Sequence, residues 1–573
     1  MYLNIRVPVP EVKGRIFLSN RKNGTIVNYE YGRVYVPEKR YNIPKRTTIG
    51  KICPDDPKMM NPNANYMKYF PDEKLPEFLE GSARSSCLKI GSWIVIRKII
   101  EDYGLDAQIE RILGRNAGLF FDLAAYTIVE ENNAARYYPD YAYDHPLFTD
   151  RMHIYSDSRI SDFLREITID QSVSFLNKWN ERRDHRDKVY VSYDSTNKNV
   201  QAGDISFAEF GHPKDDKGTP VINYAIAYDR SNREPLFYED YPGSINDVSQ
   251  FRSMVDKARA FGYQKIGFIL DRGYFSEANI HAIDHAGYDF IIMVKGMKGF
   301  VSRLILENRG KFEEKRSAAI PEYGMNGMTV KAFLFPSDEK ERFFHLYYSS
   351  WKYASERSQF EKKLSRMRKA LDKQKNRRCI FPGEFHRYFD LIYSPKKGEE
   401  DLFLMYREKE DAIERDISLC GYYAIITSQH MSAREALLLY KSRDASEKLF
   451  RGDRPYLDNA VFCDQIDEAD DAMEAKLFIE FVALIIRNRI YCCLQDEMER
   501  IGQRRDYMTV SAALKELEKI ELIRFMEKPY QMDHSLTRTQ KEILNAFGID
   551  SVYVRKAAEK VSSALAAENG GKE

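Results

Sequence analysis

The sequence predicts an α/β protein with several domains, and three observations support this prediction. The chain has 573 residues, which is more than one hydrophobic core usually serves. Its hydrophobic fraction of 43% is sufficient for folded domains. In the middle of the chain, short β-branched and aromatic runs alternate with amphipathic segments, which is typical of strands alternating with helices.

The sequence of the N-terminal part predicts two modules, one with β-strands and one with helices. Residues 1–80 mix short strand-like runs with Asn, Gly and Pro, and indicate a small β-containing module. Residues 85–185 carry apolar side chains at spacings of three and four, as in Ile90, Trp93 and Ile94, and predict a helical region. Such helices can bind DNA or only pack against one another, and both interpretations stay open.

Residues 186–300 predict the first part of a core. A β-branched and aromatic run, 189–193, stops at Asp194, and two further strands follow at 221–228 and 235–238 around a hairpin turn. A helix over 247–261 then leads to an apolar strand, 266–270, which ends in Asp271. Three hairpin-linked strands followed by alternating helix and strand is the order of a ribonuclease-H-like α/β domain.

The regular alternation breaks after this core and then resumes. Residues 301–418 surround a basic helix with short strand-like runs, and predict a largely β insertion subdomain. Residues 419–500 predict the second part of the core, with a strand at 422–427 and a helix that Ser432 and Glu435 start in capping-box spacing. Residues 501–573 predict a C-terminal helical region.

Three carboxylates suggest a metal site. Asp194 and Asp271 each end a predicted strand, and Glu447 lies on the later helix, where Tyr440, Arg443 and Glu447 share one face. Oxygen ligands from two or three carboxylates suit Mg²⁺ when phosphates and water complete its shell. Taken singly, each acid is more often a turn residue or a solvated side chain; their joint placement favours the metal site.

A nucleic-acid surface has to be local, because the formal net charge is only +1. The most basic segment, 355–378, carries ten Lys or Arg against three acidic residues. It predicts backbone contacts to DNA, although a solvated helix face is the alternative. The predicted contacts on this helix are Lys362, Arg366, Lys369 and Lys373. His212 and Lys214, which follow Gly211, predict a loop near phosphate, with a solvated turn as the alternative.

The cysteines and the apolar segments indicate the compartment. Seven cysteines lie scattered without a CxxC pair, which disfavours structural zinc and a disulfide framework and favours a reducing environment. No N-terminal apolar segment resembles a signal peptide, and no apolar run is long enough to span a bilayer. We therefore expect a soluble, cytoplasmic protein without a membrane partner.

These residues resemble the DDE transposases of bacterial insertion sequences, in particular the group with the signature Tyr-x2-Arg-x3-Glu-x6-Lys. Here the signature reads Tyr440, Arg443, Glu447 and Arg454, with Arg in place of the final Lys. The resemblance covers about residues 85–545. Its other motifs are Tyr193-Asp194-Ser195-Thr196, Gly211-His212-x-Lys214-Asp215, Tyr241-Pro242-Gly243 with Asp247, and Asp271-Arg272-Gly273-Tyr274-Phe275-Ser276.

The resemblance implies a mechanism and partners. Asp194, Asp271 and Glu447 would hold two Mg²⁺ or Mn²⁺ ions that promote DNA cleavage and attack of the freed 3′-hydroxyl on target DNA. Tyr440, Arg443 and Arg454 would grip phosphates near the cleaved end. An aromatic side chain of the insertion, with Trp351 a candidate, would stack on a flipped base.

Family members act as homodimers that bridge two terminal inverted repeats of double-stranded DNA in a synaptic complex. The resemblance therefore implies a homodimer on DNA, in the nucleoid of a prokaryotic cytoplasm. Two other functions stay open from the residues alone. One is a catalytically silent DNA-binding repressor of the same fold. The other is a metal-dependent nuclease without strand transfer.

Overall fold

The computed structural model describes a mixed α/β chain in two compact units, 1–85 and 86–573. The described residues are 6–21, 24–37, 40–53, 56–71, 84–183, 185, 187–199, 205, 208–210, 219–245, 247–294, 298–394, 402–443, 466–504, 507–524 and 529–569.

The first unit is an antiparallel sheet of five strands, β1 (Val7–Pro8), β2 (Ile16–Arg21), β3 (Gly24–Val36), β4 (Tyr41–Cys53) and β5 (Asp56–Pro62), in the order β1-β5-β4-β3-β2. One short helix, α1 (Ala64–Tyr69), begins at Asn63, whose side-chain oxygen accepts the N–H of Asn65. The core of the unit consists of Val7, Val27, Ile49, Met60 and Tyr66.

The second unit begins with a short strand and six helices. They are β6 (Cys87–Lys89), α2 (Gly91–Tyr103), α3 (Leu105–Leu113), α4 (Ala117–Glu130), α5 (Tyr138–Asp144), α6 (Asp157–Glu166) and α7 (Ile169–Asn180). The apolar spacing of this region therefore does form helices. Thr168 and Gln171 form a complete capping box at the start of α7.

The central sheet starts with β7 (Val189–Asn199), to which β8 (Val221–Asp229) pairs antiparallel, followed by β9 (Glu234–Pro242). Helix α8 (Asp247–Ala260) precedes β10 (Ile266–Leu270), and α9 (Glu277–His285) precedes β11 (Asp289–Met293). β10 is parallel to both β7 and β11. Next come α10 (Lys298–Asn308), β12 (Ala319–Ile320), β13 (Met325–Phe333) and β14 (Glu341–Tyr348).

A small subdomain follows β14 and has its own sheet and core. It contains α11 (Ser350–Gln374), β15 (Arg377–Arg378), α12 (Gly383–Tyr388), β16 (Phe389–Ser394), β17 (Leu402–Glu408) and α13 (Glu410–Ser418). The strand order is β15-β17-β16. Leu364, Leu371, Phe389 and Phe403 are buried between the basic helix and this sheet.

The chain then returns to the central sheet through β18 (Tyr422–Thr427), which lies between β14 and β11. The complete order is β12-β13-β14-β18-β11-β10-β7-β8-β9. Strands β12 to β14, which the sequence assigned to the insertion, thus extend the central sheet. The reason is a pairing between segments far apart in the chain, such as Tyr348 with Tyr422, which no local pattern reveals.

Two helices after β18 pack on different neighbours. Helix α14 (Ala433–Lys441) contacts β10, β11, β13, β14 and β18. Helix α15 (Ile466–Arg500) packs against α4, α6, α7 and β9. Most of α15 is buried all round, as expected of a helix inside a large core. No helix among the described residues is long and apolar enough to cross a membrane.

The C-terminal part contains α16 (Val510–Leu517), β19 (Glu521–Ile523), β20 (Gln531–Met532), α17 (Arg538–Asn545) and α18 (Ser551–Asn569). β19 pairs with both β20 and β6, so the end of the unit is joined to its beginning. The close approach of α16 to α2 requires Gly91, because a Cβ there would lie 2.2 Å from the Leu517 carbonyl oxygen.

Candidate active site

The strand register brings Asp194 and Asp271 to neighbouring positions. Tyr193 of β7 pairs in parallel with Leu270 of β10, and each aspartate is the next residue along its strand. The prediction that β7 ends at Asp194 is wrong, however, since β7 continues to Asn199 in pairing with β8. The polar residues after Asp194 resemble a turn, but the ladder to β8 holds them extended. Asp194 therefore lies inside β7, at the point where its neighbour β10 stops.

Both aspartates lie on the face of the sheet that α14 covers. Side chains alternate between the two faces of a strand. Tyr190 and Ile269 pack with the buried cluster under α14. Asp194 comes four residues after Tyr190, and Asp271 two residues after Ile269, so both aspartates lie on the same face as these two residues. The capping box of Ser432 and Glu435, which the sequence predicted, is complete and begins α14.

Arg443 joins this acidic pair. Its Nη1 lies 2.9 Å from Asp271 Oδ1, with the Arg443 side chain 17% exposed and that of Asp271 40% exposed. Burial alone would lower the pKa of Arg443, but the charges of Asp271, Tyr440 and Asp194 raise it above its usual value. The guanidinium therefore stays charged beside the carboxylates.

The helix that carries these residues is shorter than predicted. α14 ends at Lys441, and Arg443 lies in the turn beyond it, where its N–H donates to the Tyr440 carbonyl at 3.2 Å. Tyr440 is 6% exposed and belongs to the cluster under α14. Its ring lies 5.7 Å from the Arg443 guanidinium carbon. Tyr440 is therefore largely buried and lies beside the Arg443 side chain.

Four of the predicted site residues lie outside the described residues: Glu447, Arg454, His212 and Lys214. No group of three or more His, Cys, Asp or Glu that could hold a metal occurs among the described residues. Asp194 and Asp271 supply two carboxylates, which suit a hard divalent cation.

Among the described residues, the basic helix α11 carries cations that pair with carboxylates and cations without such a pairing on different parts of its surface. Lys363 pairs with Glu384 and Arg368 pairs with Glu408, both toward the small subdomain. The four predicted DNA contacts are exposed and have no carboxylate partner within the described part of the chain; they are Lys362, Arg366, Lys369 and Lys373. Their spacing of four, three and four forms one stripe along the helix. Trp351, at the first turn of α11, is 86% exposed.

Sequence reasoning missed the residues that hold the Tyr241-Pro242-Gly243 turn. The Asn223 side-chain amide donates to the carbonyls of Pro242 and Ile245 at 3.1 and 2.9 Å. Gly243 has no room for a side chain, because a Cβ there would lie 2.3 Å from the Val221 carbonyl oxygen. The signal in the sequence was that Asn223 is a polar residue inside an otherwise apolar strand. This signal does not identify the carbonyl groups to which Asn223 donates.

Comparisons with known proteins identify one similar family. Residues 186–451 match the family model described as the transposase DDE domain, so this region is similar to DDE transposases. No curated protein matches significantly. Among solved structures, the piggyBac transposase synaptic complex with hairpin DNA matches at 9% identity and a TM-score of 0.31, over 72% of this chain. This chain spans 65% of the length of that chain.

Proposed function

We propose that this chain is a DDE transposase that cleaves DNA at the terminal inverted repeats of its own element and joins the freed ends to target DNA. The observation that carries the proposal is the meeting of Asp194, Asp271 and Arg443 on one face of the sheet. They lie within the region that matches the transposase DDE domain. Glu447, four residues after Arg443, is the proposed third carboxylate.

The strand order supports a ribonuclease-H-like core. The strands β9-β8-β7-β10-β11 are neighbours in that order, β8 is antiparallel to β7, and β10 and β11 follow the direction of β7. The first acidic residue comes from the central strand and the second from its parallel neighbour. This arrangement supports the ribonuclease-H-like core that the resemblance implies.

The donor set fits divalent cations. Asp194, Asp271 and Glu447 would hold two Mg²⁺ or Mn²⁺ ions, since hard oxygen ligands suit both metals. When bound, such ions activate water or a DNA 3′-hydroxyl for in-line attack and stabilise the leaving oxygen. Arg443 would hold a phosphate oxygen beside the carboxylates, and the Tyr440 ring would fix the position of its guanidinium.

The DNA contacts we propose extend from the site to the small subdomain. The exposed stripe on α11 would neutralise backbone phosphates, because its four cations have no carboxylate partner among the described residues. Trp351 would stack on a base displaced from the duplex. Arg454, His212 and Lys214 would add phosphate contacts near the cleaved end, as the motifs of the resemblance imply.

The assembly and the compartment follow from the same resemblance. We propose a homodimer that holds two terminal inverted repeats in a synaptic complex, in the nucleoid of a prokaryotic cytoplasm. The signature of Tyr440, Arg443, Glu447 and Arg454 would place the chain in the insertion-sequence group with the final Lys replaced by Arg. A guanidinium keeps the charge of Lys but binds phosphate in a planar, bidentate manner.

An excision experiment tests this proposal. The DNA that flanks the coding region is examined for short inverted repeats, and a donor plasmid carrying them around a marker is combined with the full chain in cells. We expect excision with the wild type and loss of excision with Asp271→Asn. Repeats that are bound but never excised would favour a repressor. Cleavage without recovery of joined products would favour a nuclease.

A further inference from the structure

The N-terminal unit carries a projecting two-stranded ribbon. β2 pairs with β3 only over residues 24–29 of β3, and β5 pairs with β4 only over residues 50–53 of β4. Between them, residues 30–36 of β3 and 41–46 of β4 pair with each other alone. At about 3.3 Å per residue, this ribbon extends roughly 20 Å beyond the five-stranded part of the sheet.

The ribbon is open to solvent on both faces. No described side chain between residues 31 and 46 is buried, and the core of the unit lies at the other end of the strands. Large side chains are exposed along it, with Tyr35 at 57%, Tyr41 at 55% and Val34 at 42%. A two-stranded ribbon without a covered face is only marginally stable by itself. Its length and exposed aromatic rings therefore point to a partner.

One buried carboxylate braces the base of the ribbon. Glu30 is 3% exposed, and its two oxygens accept from Arg33 Nε at 2.7 Å and Arg46 Nε at 3.1 Å. These arginines lie on opposite strands. The carboxylate thus ties the strands together where the neighbouring strands end, so the ribbon projects in a fixed direction.

The charge of the ribbon identifies the kind of partner. Residues 31–46 contain five Lys or Arg and one Glu, and the whole unit, residues 1–85, contains fifteen Lys or Arg against nine acidic residues. The whole chain carries only +1, so positive charge is concentrated in this unit. Cations interleaved with exposed tyrosines on a narrow ribbon favour a polyanion with a groove.

We propose that this ribbon enters the major groove of double-stranded DNA. The groove is about 12 Å wide and admits a two-stranded ribbon, whereas the major groove of duplex RNA is too narrow for side chains to read. Arg40 and Lys45 would contact phosphates, and Tyr35 and Tyr41 would pack along the groove wall. Recognition of the ends of the element by the ribbon would rest on the proposed transposase function, whereas DNA binding by the ribbon does not depend on it.

The test measures binding by the full chain without any divalent metal. A labelled mixed-sequence DNA duplex of about 30 bp is titrated at roughly 150 mM salt, where phosphate contacts still contribute. We expect Arg40→Glu with Lys45→Glu to weaken binding by about 10-fold. Lys13→Glu with Lys58→Glu makes the same charge change on exposed positions of this unit away from the ribbon, and we expect a change below about 2-fold. Tyr35→Ala with Tyr41→Ala is a second ribbon variant that keeps the charge, and we expect weaker binding from it as well.

A DNA duplex with a blocked major groove tests whether the ribbon binds in that groove. We expect the wild type to bind less tightly to a duplex whose cytosines carry glucosylated hydroxymethyl groups in the major groove, and the ribbon variant to be insensitive to them. Equal losses from the ribbon and control variants, no loss from either ribbon variant, or equal affinity for duplex RNA would overturn the proposal. Because no cleavage is measured, a chain that binds through the ribbon but never cuts DNA would contradict only the transposase function.

Discussion

The Arg443 guanidinium contacts the Asp271 carboxylate, with 2.9 Å between Nη1 and Oδ1. The contact joins a cation from the turn after α14 to a carboxylate from the end of β10, directly beside Asp194 on β7. A guanidinium held there neutralises one acid in the free protein. In the proposed function it would also receive a phosphate oxygen of the bound DNA, so the pair would link the acidic site to substrate positioning.

Replacement of Arg443 should damage chemistry more than binding. We expect Arg443→Ala to lower the rate of end cleavage by about 10²- to 10³-fold, as losing one preorganised electrostatic group does in other enzymes. Arg443→Lys should recover only part of this rate, because an ammonium lacks the planar fork. Single-turnover cleavage, with the protein in excess over end DNA, gives the rates. Equal rates for the wild type and Arg443→Ala would contradict the positioning role.

The exposed stripe on α11 should set part of the salt dependence of DNA binding. Replacing Lys362, Arg366, Lys369 and Lys373 by Ala should reduce the slope of log K against log salt by about 3 to 4, since each lost phosphate contact contributes about 0.9. The matched control is Lys363→Ala with Arg368→Ala, because both of these cations already pair with carboxylates. Titrations at several salt concentrations measure both slopes. Similar slopes for the two variants would show that the stripe is only a solvated face.

Trp351 should act on DNA and not on stability. It is 86% exposed, so Trp351→Ala should change the free energy of unfolding by less than about 0.5 kcal/mol. If the indole stacks on a displaced base, the same variant should lose about 1–3 kcal/mol of end binding, and Trp351→Phe should recover most of it. Binding to a duplex end with a 2-aminopurine beside the cleavage point reports the displaced base. An unchanged 2-aminopurine signal on Trp351→Ala would remove Trp351 from this role.

His145 should make stability depend on pH. Burial alone would lower its pKa, but hydrogen bonds and charges from Asp144 and Glu518, each 2.6 Å from a ring nitrogen, raise the pKa of His145 to about 9. Tyr141 stacks on the ring, and Lys89 pairs with Asp144. Because the folded-state value exceeds the ordinary 6.5, the stabilisation is complete below that pH and is lost as pH rises through about 9.

We expect His145→Gln to lower the free energy of unfolding at pH 6 by about 2–3 kcal/mol and to flatten its change between pH 6.5 and 9. Urea denaturation across this range measures the effect. His153→Gln, at an exposed histidine, is the control and should leave the pH profile unchanged. A His145→Gln profile parallel to that of the wild type would show that His145 gains no proton on folding.

Local signals predicted well the parts of the site that depend on local rules. The capping box at Ser432 and the strand that ends at Leu270 both formed as expected, since each is specified within a few residues. The sequence placed Asp194 and Asp271 in one site because each ends an apolar run, and the parallel pairing of β7 with β10 makes them neighbours. The extension of β7 to Asn199 did not follow, because the ladder to β8 overrides a turn-like composition.

The sequence did not predict the pairing of strands that are far apart in the chain, nor the contacts between distant side chains. No local pattern indicates that β14 joins β18, or that the turn after Lys441 directs Arg443 to Asp271. In the first unit the sequence indicated short strand-like runs but not the projecting ribbon. No local pattern shows that residues 30–36 of β3 and 41–46 of β4 pair with each other alone.

Metal-dependent cleavage of labelled DNA that carries the element's own terminal repeat tests most directly whether Asp194, Asp271 and Glu447 form one catalytic set. Wild type is compared with Asp194→Asn, Asp271→Asn and Glu447→Gln in Mg²⁺ and in Mn²⁺. We expect end-specific nicking and joining by the wild type only, with DNA binding kept by all three variants. Normal cleavage by any of the three variants would contradict it.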